Sequence, residues 1–216
     1  MEADLVRDFA QLIGKKSGKR SYVTTEFEGG GYGIADVTIF KTKTIEQSAI
    51  DRFSSIPPRF AVLFNGEHLP SQFRTTDFCN LTGISISAAH RILTTLVVKG
   101  TIARNKSNEY VLERKIECPI ELIISVEAKL SDWRSALVQA YRNRAYSNQS
   151  WVLLDAARAR RAIENWETFS RAGIGLATLD KRRQLKIYFQ PQYWLPLNRS
   201  LFWAASVRLT RKYLRA

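Results

Sequence analysis

Apolar residues recur along this chain at two periods, and each change of period marks an element. Leu5, Phe9, Leu12 and Ile13 fall on one helical stripe, so residues 2–13 read as a helix. Basic and small residues follow, from Gly14 to Arg20. SYVTTEFE (21–28) is rich in β-branched and aromatic residues and reads as a strand. The glycines at 29, 30, 31 and 33 read as a turn, and GIADVTIF (33–40) as the second strand of a hairpin.

The middle of the chain, 50–115, has a different pattern. PPRFAVLFNG gives a short helix after two prolines. TTDFCNLTG (75–83) gives another, with a threonine cap and a glycine stop. SISAAHRILTTLVVKG (85–100) gives a longer one, whose apolar positions Ala89, Ile92, Leu93, Leu96 and Val97 keep helical spacing. TIARNKSNEYVLE then reads as two short strands around a polar tip, Asn105 to Asn108. That order is a winged helix-turn-helix. Structureless connections longer than about 12–15 residues are uncommon in compact domains. A block with its own helical periodicity is therefore expected to be a small domain inserted between two neighbouring strands of a larger one.

After Pro119, ELIISVEAK (121–129) is an apolar run that ends in charges, as in a strand buried on both faces. Ser131 is placed to cap the next helix, with Trp133, Ala136, Leu137, Ala140 and Tyr141 on its buried stripe. WVLLD (151–155) reads as a buried strand and Arg158 to Arg171 as a basic helix. GIGLATLD (173–180) and LKIYFQ (185–190) read as a pair of edge strands. A last aromatic and basic helix covers about Asn198 to Leu214, with Phe202 and Trp203 able to close the larger core. The pattern implies an α/β chain with domain boundaries at 1–49 plus 116–216 for the larger domain and 50–115 for the insertion.

Charge adds a partner class. Lys and Arg total 33 against 20 Asp and Glu, a formal net charge of +13. Such a surplus favours a polyanion, nucleic acid before an acidic membrane surface. It sets affinity and salt dependence, not chemistry. Cys79 and Cys118 form no CxxC pair, which argues against a disulfide framework or a structural zinc site. No stretch approaches the ~20 apolar residues of a membrane span. The opening MEADLVRDFAQLIG lacks the basic-then-apolar order of a signal peptide, so a reducing cytoplasm is expected.

The candidate chemistry lies in three residues. Glu127 and Lys129 are two apart on a strand and leave the same face. Charges at the end of a buried strand are costly unless paired, hydrated or bound to metal. Asp36 lies within an otherwise apolar strand. If the two strands are neighbours, the three converge. Two carboxylates suit Mg²⁺, with Mn²⁺ as a substitute, and a lysine beside them can orient a water or stabilise charge on a phosphate. The plain alternative is a solvated E-x-K pair on an edge, with Asp36 bonded to backbone amides.

Asp36 followed by Glu127-Ala128-Lys129 on a later strand resembles the PD-(D/E)XK nuclease superfamily. The order helix, hairpin, strand, helix, strand resembles that core over about 1–49 and 116–190. Ala35 stands where the motif has proline. The resemblance implies a restriction-endonuclease-like mixed sheet flanked by helices, the activity of a Mg²⁺-dependent DNA endonuclease or DNA-processing nuclease, and catalytic roles for Asp36, Glu127 and Lys129. It also implies a further acid from the first helix or strand: Glu2, Glu26 or Glu28, with Glu26 preferred. Gln139, on the helix after the E-x-K strand, is a further candidate. In the inserted domain Ser87, Ala88, His90 and Arg91 would face a major groove, with Thr94 and Thr95 further along. Arg104, Asn105 and Lys106 in the wing would reach backbone phosphate. Double-strand cleavage then needs a homodimer or two binding events. Three rivals remain at this point: a non-enzymatic DNA-binding regulator on an inactive nuclease fold, an RNA-processing nuclease, and a subunit of a mobile-element or defence complex active only with partners.

Overall fold

A computed structural model of the chain describes residues 1–29 and 33–215; Gly30, Gly31 and Tyr32, in the expected turn, lie outside it with Ala216. The chain opens with α1 (Glu2–Lys16), β1 (Ser21–Glu28) and β2 (Ile34–Thr42). There follow α2 (Gln47–Ser55), a 3₁₀ helix (Pro58–Asn65), β3 (Gln72–Phe73), α3 (Thr75–Thr82), α4 (Ile86–Val98), β4 (Ala103–Arg104) and β5 (Tyr110–Val111). The remainder comprises β6 (Ile120–Lys129), α5 (Trp133–Asn143), β7 (Gln149–Asp155), α6 (Arg160–Glu164), α7 (Trp166–Ala172), β8 (Gly175–Leu179), β9 (Leu185–Phe189) and α8 (Arg199–Tyr213).

These elements divide into two compact units. The first comprises Met1–Lys43 and Ile120–Phe202, the second Thr44–Pro119 and Trp203–Ala216. The first unit is α/β, built on a six-stranded mixed sheet of order β1-β2-β6-β7-β8-β9. β2 and β6 are antiparallel neighbours, with Thr42 opposite Ile120. The whole middle block therefore leaves and returns at adjacent sheet positions. β6, β7 and β8 run parallel, and the outer pairings are antiparallel.

Side-chain parity divides the core of this unit. Val126, Ala128 and Leu153 pack with Leu5 and Phe9 of α1 on one face. Val152 and Leu154 pack with Trp133, Ala136 and Ala140 of α5 and Phe169 of α7 on the other. Because residues alternate along a strand, Ser125 and Glu127 belong to the α5 face. The expected buried stripe of α5 holds at Trp133, Ala136 and Ala140, whereas Tyr141 is 51% exposed. Asp132, not Ser131, caps the helix, its carboxylate accepting from the Ser135 N–H at 3.1 Å. The basic helix expected at 158–171 is broken at Asn165 into α6 and α7. β8 is not an edge strand: it lies between β7 and β9 and every one of its residues is buried.

Gly175 pairs with Trp151, and the Trp151 ring lies across it: a Cβ there would come within 2.2 Å of the ring. Gly175→Ala is expected to lower stability by about 1–3 kcal/mol through overpacking, measurable as a lower urea midpoint at unchanged slope.

The second unit has its own core. Phe78 of α3 packs edge-on against Phe60 at 5.5 Å, and Phe73 of β3 stacks on Tyr110 of β5 at 5.7 Å. α3 and α4 meet at 113° across a three-residue turn. Gly83 takes the left-handed conformation (φ 69°) that stops α3. The Ser85 hydroxyl accepts from the Ala88 N–H and starts α4. Strands β4 and β5 form a hairpin, and β3 completes a three-stranded sheet in the order β3-β5-β4. The threonine cap expected for α3 is replaced by Asp77, whose carboxylate accepts from the Arg74 N–H at 2.7 Å. Two elements have no counterpart in the sequence reading, α2 and β3.

The sequence boundaries shift accordingly. Residues 44–49 and 116–119 belong to the second unit, and so does the last helix from Trp203 on. Trp203 packs on Phe53 of α2 at 5.6 Å rather than closing the first core. Among the described residues no single helix is long and apolar enough to cross a membrane.

Candidate active site and nucleic-acid face

Pairing between β2 and β6 runs from Thr42 to Val37, and Val37 lies opposite Val126. The next residues along the two strands are Asp36 and Glu127. Their side chains leave the face away from Val37 and Val126, towards α5. The site therefore sits where the ladder between two inner strands of the sheet ends. The Ala128 N–H is bonded there to Asp36 Oδ2 at 2.8 Å instead of to a backbone carbonyl.

Glu127 is 3% exposed. Its Oε1 accepts from Asn143 Nδ2 at 2.5 Å. Burial first, and then the charge of Asp36, push its carboxyl up to about 8, against the opposing pull of Asn143 and Lys129. Burial also raises Asp36, opposed by the Ala128 N–H and by Lys129. Two carboxyls within reach of each other cannot both ionise cheaply, so at neutral pH the pair retains a proton.

Lys129 Nζ donates to Glu2 Oε1 at 2.5 Å. Burial pulls its ammonium down, but the bond to Glu2 and the charges of Asp36, Glu2 and Glu127 outweigh it and raise it overall. Lys129 is therefore a fixed cation and not a base.

Asp36, Glu127 and Lys129 thus come together. The further acid does so differently from expectation. Glu2, at the first turn of α1, touches Lys129. Glu26 is level with Asp36 in the β1–β2 register, yet it is exposed and has φ of 52°, which breaks the ladder between Thr25 and Phe27. Glu28 is exposed at the end of β1. Gln139 is half-buried, and its side chain makes no hydrogen bond among the described residues. Asn143, one helical turn further along, is the α5 residue that reaches Glu127.

Asn143 escaped the sequence reading although a signal for it exists. It continues the spacing Trp133, Ala136, Ala140 and is a polar residue on the buried stripe. Its backbone is fixed in turn, since the Ser147 hydroxyl donates to the Asn143 carbonyl at 2.8 Å. The hydroxyls of Ser125, Ser147 and Ser150 form a buried triangle with sides of 2.8–3.0 Å. Tyr146 also lies close enough to feel the charge of Glu127, and burial holds its phenol neutral. Its ring crosses Gly29, where a Cβ would come within 2.2 Å. The bare backbone at Gly29 thus answers to packing.

The fit of a divalent cation follows from the donor set. No group of three or more histidine, cysteine, aspartate or glutamate side chains is assembled as a cage among the described residues. Asp36 and Glu127 are two hard oxygen donors, and neither is ion-paired among the described residues. That suits an ion such as Mg²⁺, which keeps several waters and takes one or two protein carboxylates. It does not suit a closed structural site.

The expected nucleic-acid residues lie on the second unit. α4 buries Ala89, Leu93 and Leu96. Ser87, His90, Arg91, Thr94 and Thr95 are exposed and Ala88 is half-buried. In the β4–β5 hairpin Arg104 is exposed and its guanidinium lies over Tyr110 at 5.7 Å. Asn105 is turned inward, its side-chain Oδ1 accepting from the Glu109 N–H at 2.9 Å, while Lys106 is exposed at the tip. Asn105 therefore shapes the tip, and Arg104 and Lys106 are left as its outward donors.

No protein-family model, curated protein or solved structure matches this chain.

Proposed function

We propose that this chain is a divalent-metal-dependent nuclease of the PD-(D/E)XK kind acting on double-stranded DNA. Its second unit would serve as a winged helix-turn-helix for DNA binding. The observation that carries the reading is the meeting of Asp36 and Glu127 where the β2–β6 ladder ends, with the ammonium of Lys129 beside them.

Asp36 and Glu127 would hold Mg²⁺ or Mn²⁺ through their carboxylates. Bound there, the ion supplies a Lewis acid for a phosphoryl oxygen and lowers the pKa of a coordinated water. Asn143 keeps Glu127 in its rotamer and favours its ionised form. Lys129, locked as a cation by Glu2, stabilises the charge that develops on the phosphate as the P–O bond breaks. Glu2 holds that ammonium in place.

The remaining support is electrostatic and geometric. A net charge of +13 favours a polyanion. α4 presents hydroxyls, His90 and Arg91 on its exposed side, and Arg104 and Lys106 flank it in sequence on a hairpin. This is how a recognition helix and a wing share base and phosphate contacts.

The test uses plasmid, single-stranded DNA and structured RNA, each with Mg²⁺, Mn²⁺ or EDTA. The expected result is nicking or cleavage of the duplex with metal and none in EDTA. Cleavage in EDTA would sink the metal site. Tight duplex binding with no cleavage of any substrate would favour a regulator, and cleavage confined to RNA would move the substrate class.

A further inference from the structure

The second unit carries a cluster of positive charge that the active site does not use. A cavity of about 540 Å³ is lined by Asp51, Ser54 and Ser55 of α2, Thr95 and Lys99 at the end of α4, and Arg211 and Arg215 from the C-terminal segment. All of these residues belong to the same compact unit.

Hydrogen bonding decides which groups are available to a ligand. The hydroxyl of Thr95 is turned back to the Arg91 carbonyl at 2.8 Å, and that of Ser54 to the Asp51 carbonyl at 2.9 Å. Ser55 is occupied by the Arg52 carbonyl and by Thr101, both at 2.7 Å. The donors left are the cations. Arg211 spends part of its guanidinium on the carbonyls of Ser54 at 2.7 Å and Ile56 at 3.0 Å. That neutralises the negative C-terminal end of α2, which would otherwise repel an anion.

Lys99 and Arg215 make no ion pair among the described residues, and neither does Arg211. Asp51, the one acid among the described residues that line the cavity, accepts from Gln47 Nε2 at 3.0 Å. Burial, and then the nearby charge of Arg215, hold the Arg211 guanidinium below its ordinary range. Unpaired like charges gathered around a cavity raise the energy of the empty site and are relieved by an anion.

The position of Lys99 connects this cavity to α4. Arg91, Thr95 and Lys99 are spaced i, i+4, i+8 and so form one row along the helix, the last of them just past its end. A backbone phosphate bound at Lys99 would follow directly from a duplex lying along that row.

We propose that Lys99, Arg211 and Arg215 form a clamp for one backbone phosphate of the duplex, placed at the C-terminal end of the recognition helix. The proposal rests on the reading of α4 as a DNA-binding helix. It gives the C-terminal segment a task in binding: it fixes where along the duplex α4 sits.

The experiment compares wild type, the double variant Lys99→Ala/Arg215→Ala and Arg91→Ala by anisotropy on a short labelled duplex in EDTA, over a range of salt. Arg211 is left intact because it caps α2. The double variant is expected to bind about 10-fold more weakly near physiological salt, with a log–log salt slope shallower by about 1 to 2. Its loss should be uniform across duplex sequences. A second measurement needs no DNA: thermal unfolding in phosphate against chloride at matched ionic strength. Wild type should gain about 2–4 °C in phosphate and the double variant should not.

If the double variant keeps wild-type slope and affinity while Arg91→Ala weakens binding, the clamp is overturned and the DNA reading stands. If wild type binds no duplex yet shows the phosphate shift that the double variant lacks, the DNA reading falls and the cavity is a site for a free phosphate. Neither duplex binding nor a phosphate shift overturns both.

Discussion

Lys129→Ala is expected to lower the single-turnover cleavage rate by about 10²–10³-fold while the protein stays folded. The size follows from position and charge state. Lys129 ends β6 two residues after Glu127, and its ammonium is held by Glu2 at 2.5 Å. The surrounding carboxylates raise it, so it carries its charge throughout the neutral range. A fixed cation beside a phosphate acts mainly on the transition state, where charge on the transferred group is greatest. The loss should therefore fall on the rate at saturating DNA and metal, not on DNA affinity. Removing Lys129 also withdraws a charge that favours ionised Glu127, so metal binding should weaken as well. Saturating metal separates the two effects, because a pure binding defect disappears there. Lys129→Arg is not expected to rescue the rate, since a planar guanidinium cannot replace a compact ammonium in a half-buried pocket. Glu2→Gln should cost far less than Lys129→Ala, because it releases the ammonium without removing it. A Lys129→Ala rate within 10-fold of wild type at saturating metal would place this lysine outside the reacting centre.

Much of this site is legible in the sequence because strands obey a strict period. Two charges spaced i, i+2 at the end of an apolar run must share a face, and an aspartate inside an apolar strand must have a partner. Those two facts identify Asp36, Glu127 and Lys129 without reference to any tertiary contact. Glu2 and Asn143 are different. Each reaches the site from a helix, and which helical residue meets a strand depends on where the helix docks and not on its own periodicity. Glu26 shows the limit from the other side. Register places it level with Asp36, yet a backbone irregularity at φ 52° leaves it exposed. The pattern of apolar residues carries no sign of that irregularity. The same reasoning applies to the last helix. Its aromatic and basic composition marks it as a packing element, but composition does not say which core it joins, and Trp203 joins Phe53.

The pH dependence of stability should follow Glu127. Its carboxyl is raised from 4.5 to about 8 in the folded protein, chiefly by burial and then by the charge of Asp36. A group whose folded pKa lies above its unfolded value binds its proton more tightly when folded. Its stabilising contribution is complete below about pH 4.5 and is lost as pH rises through about 8. Above that, the folded protein holds a buried carboxylate against Asp36, at a cost of about 5 kcal/mol relative to the protonated form. Glu127→Gln keeps the shape and the bond to Asn143 but cannot ionise. In EDTA the variant should match wild type near pH 4.5 and exceed it increasingly towards pH 9, approaching that difference. Urea unfolding at pH 5, 7 and 9 measures the gap. Metal should reverse the order. A divalent ion ionises both acids on binding, so at pH 7 it should release about one proton per site and stabilise wild type. Glu127→Gln should do neither, and should cleave no DNA. The variant would then be the more stable protein without metal and the inactive one with it, as expected where burial is tolerated for the sake of the site. Parallel loss of stability in both proteins between pH 5 and 9 would show that another group carries the buried proton.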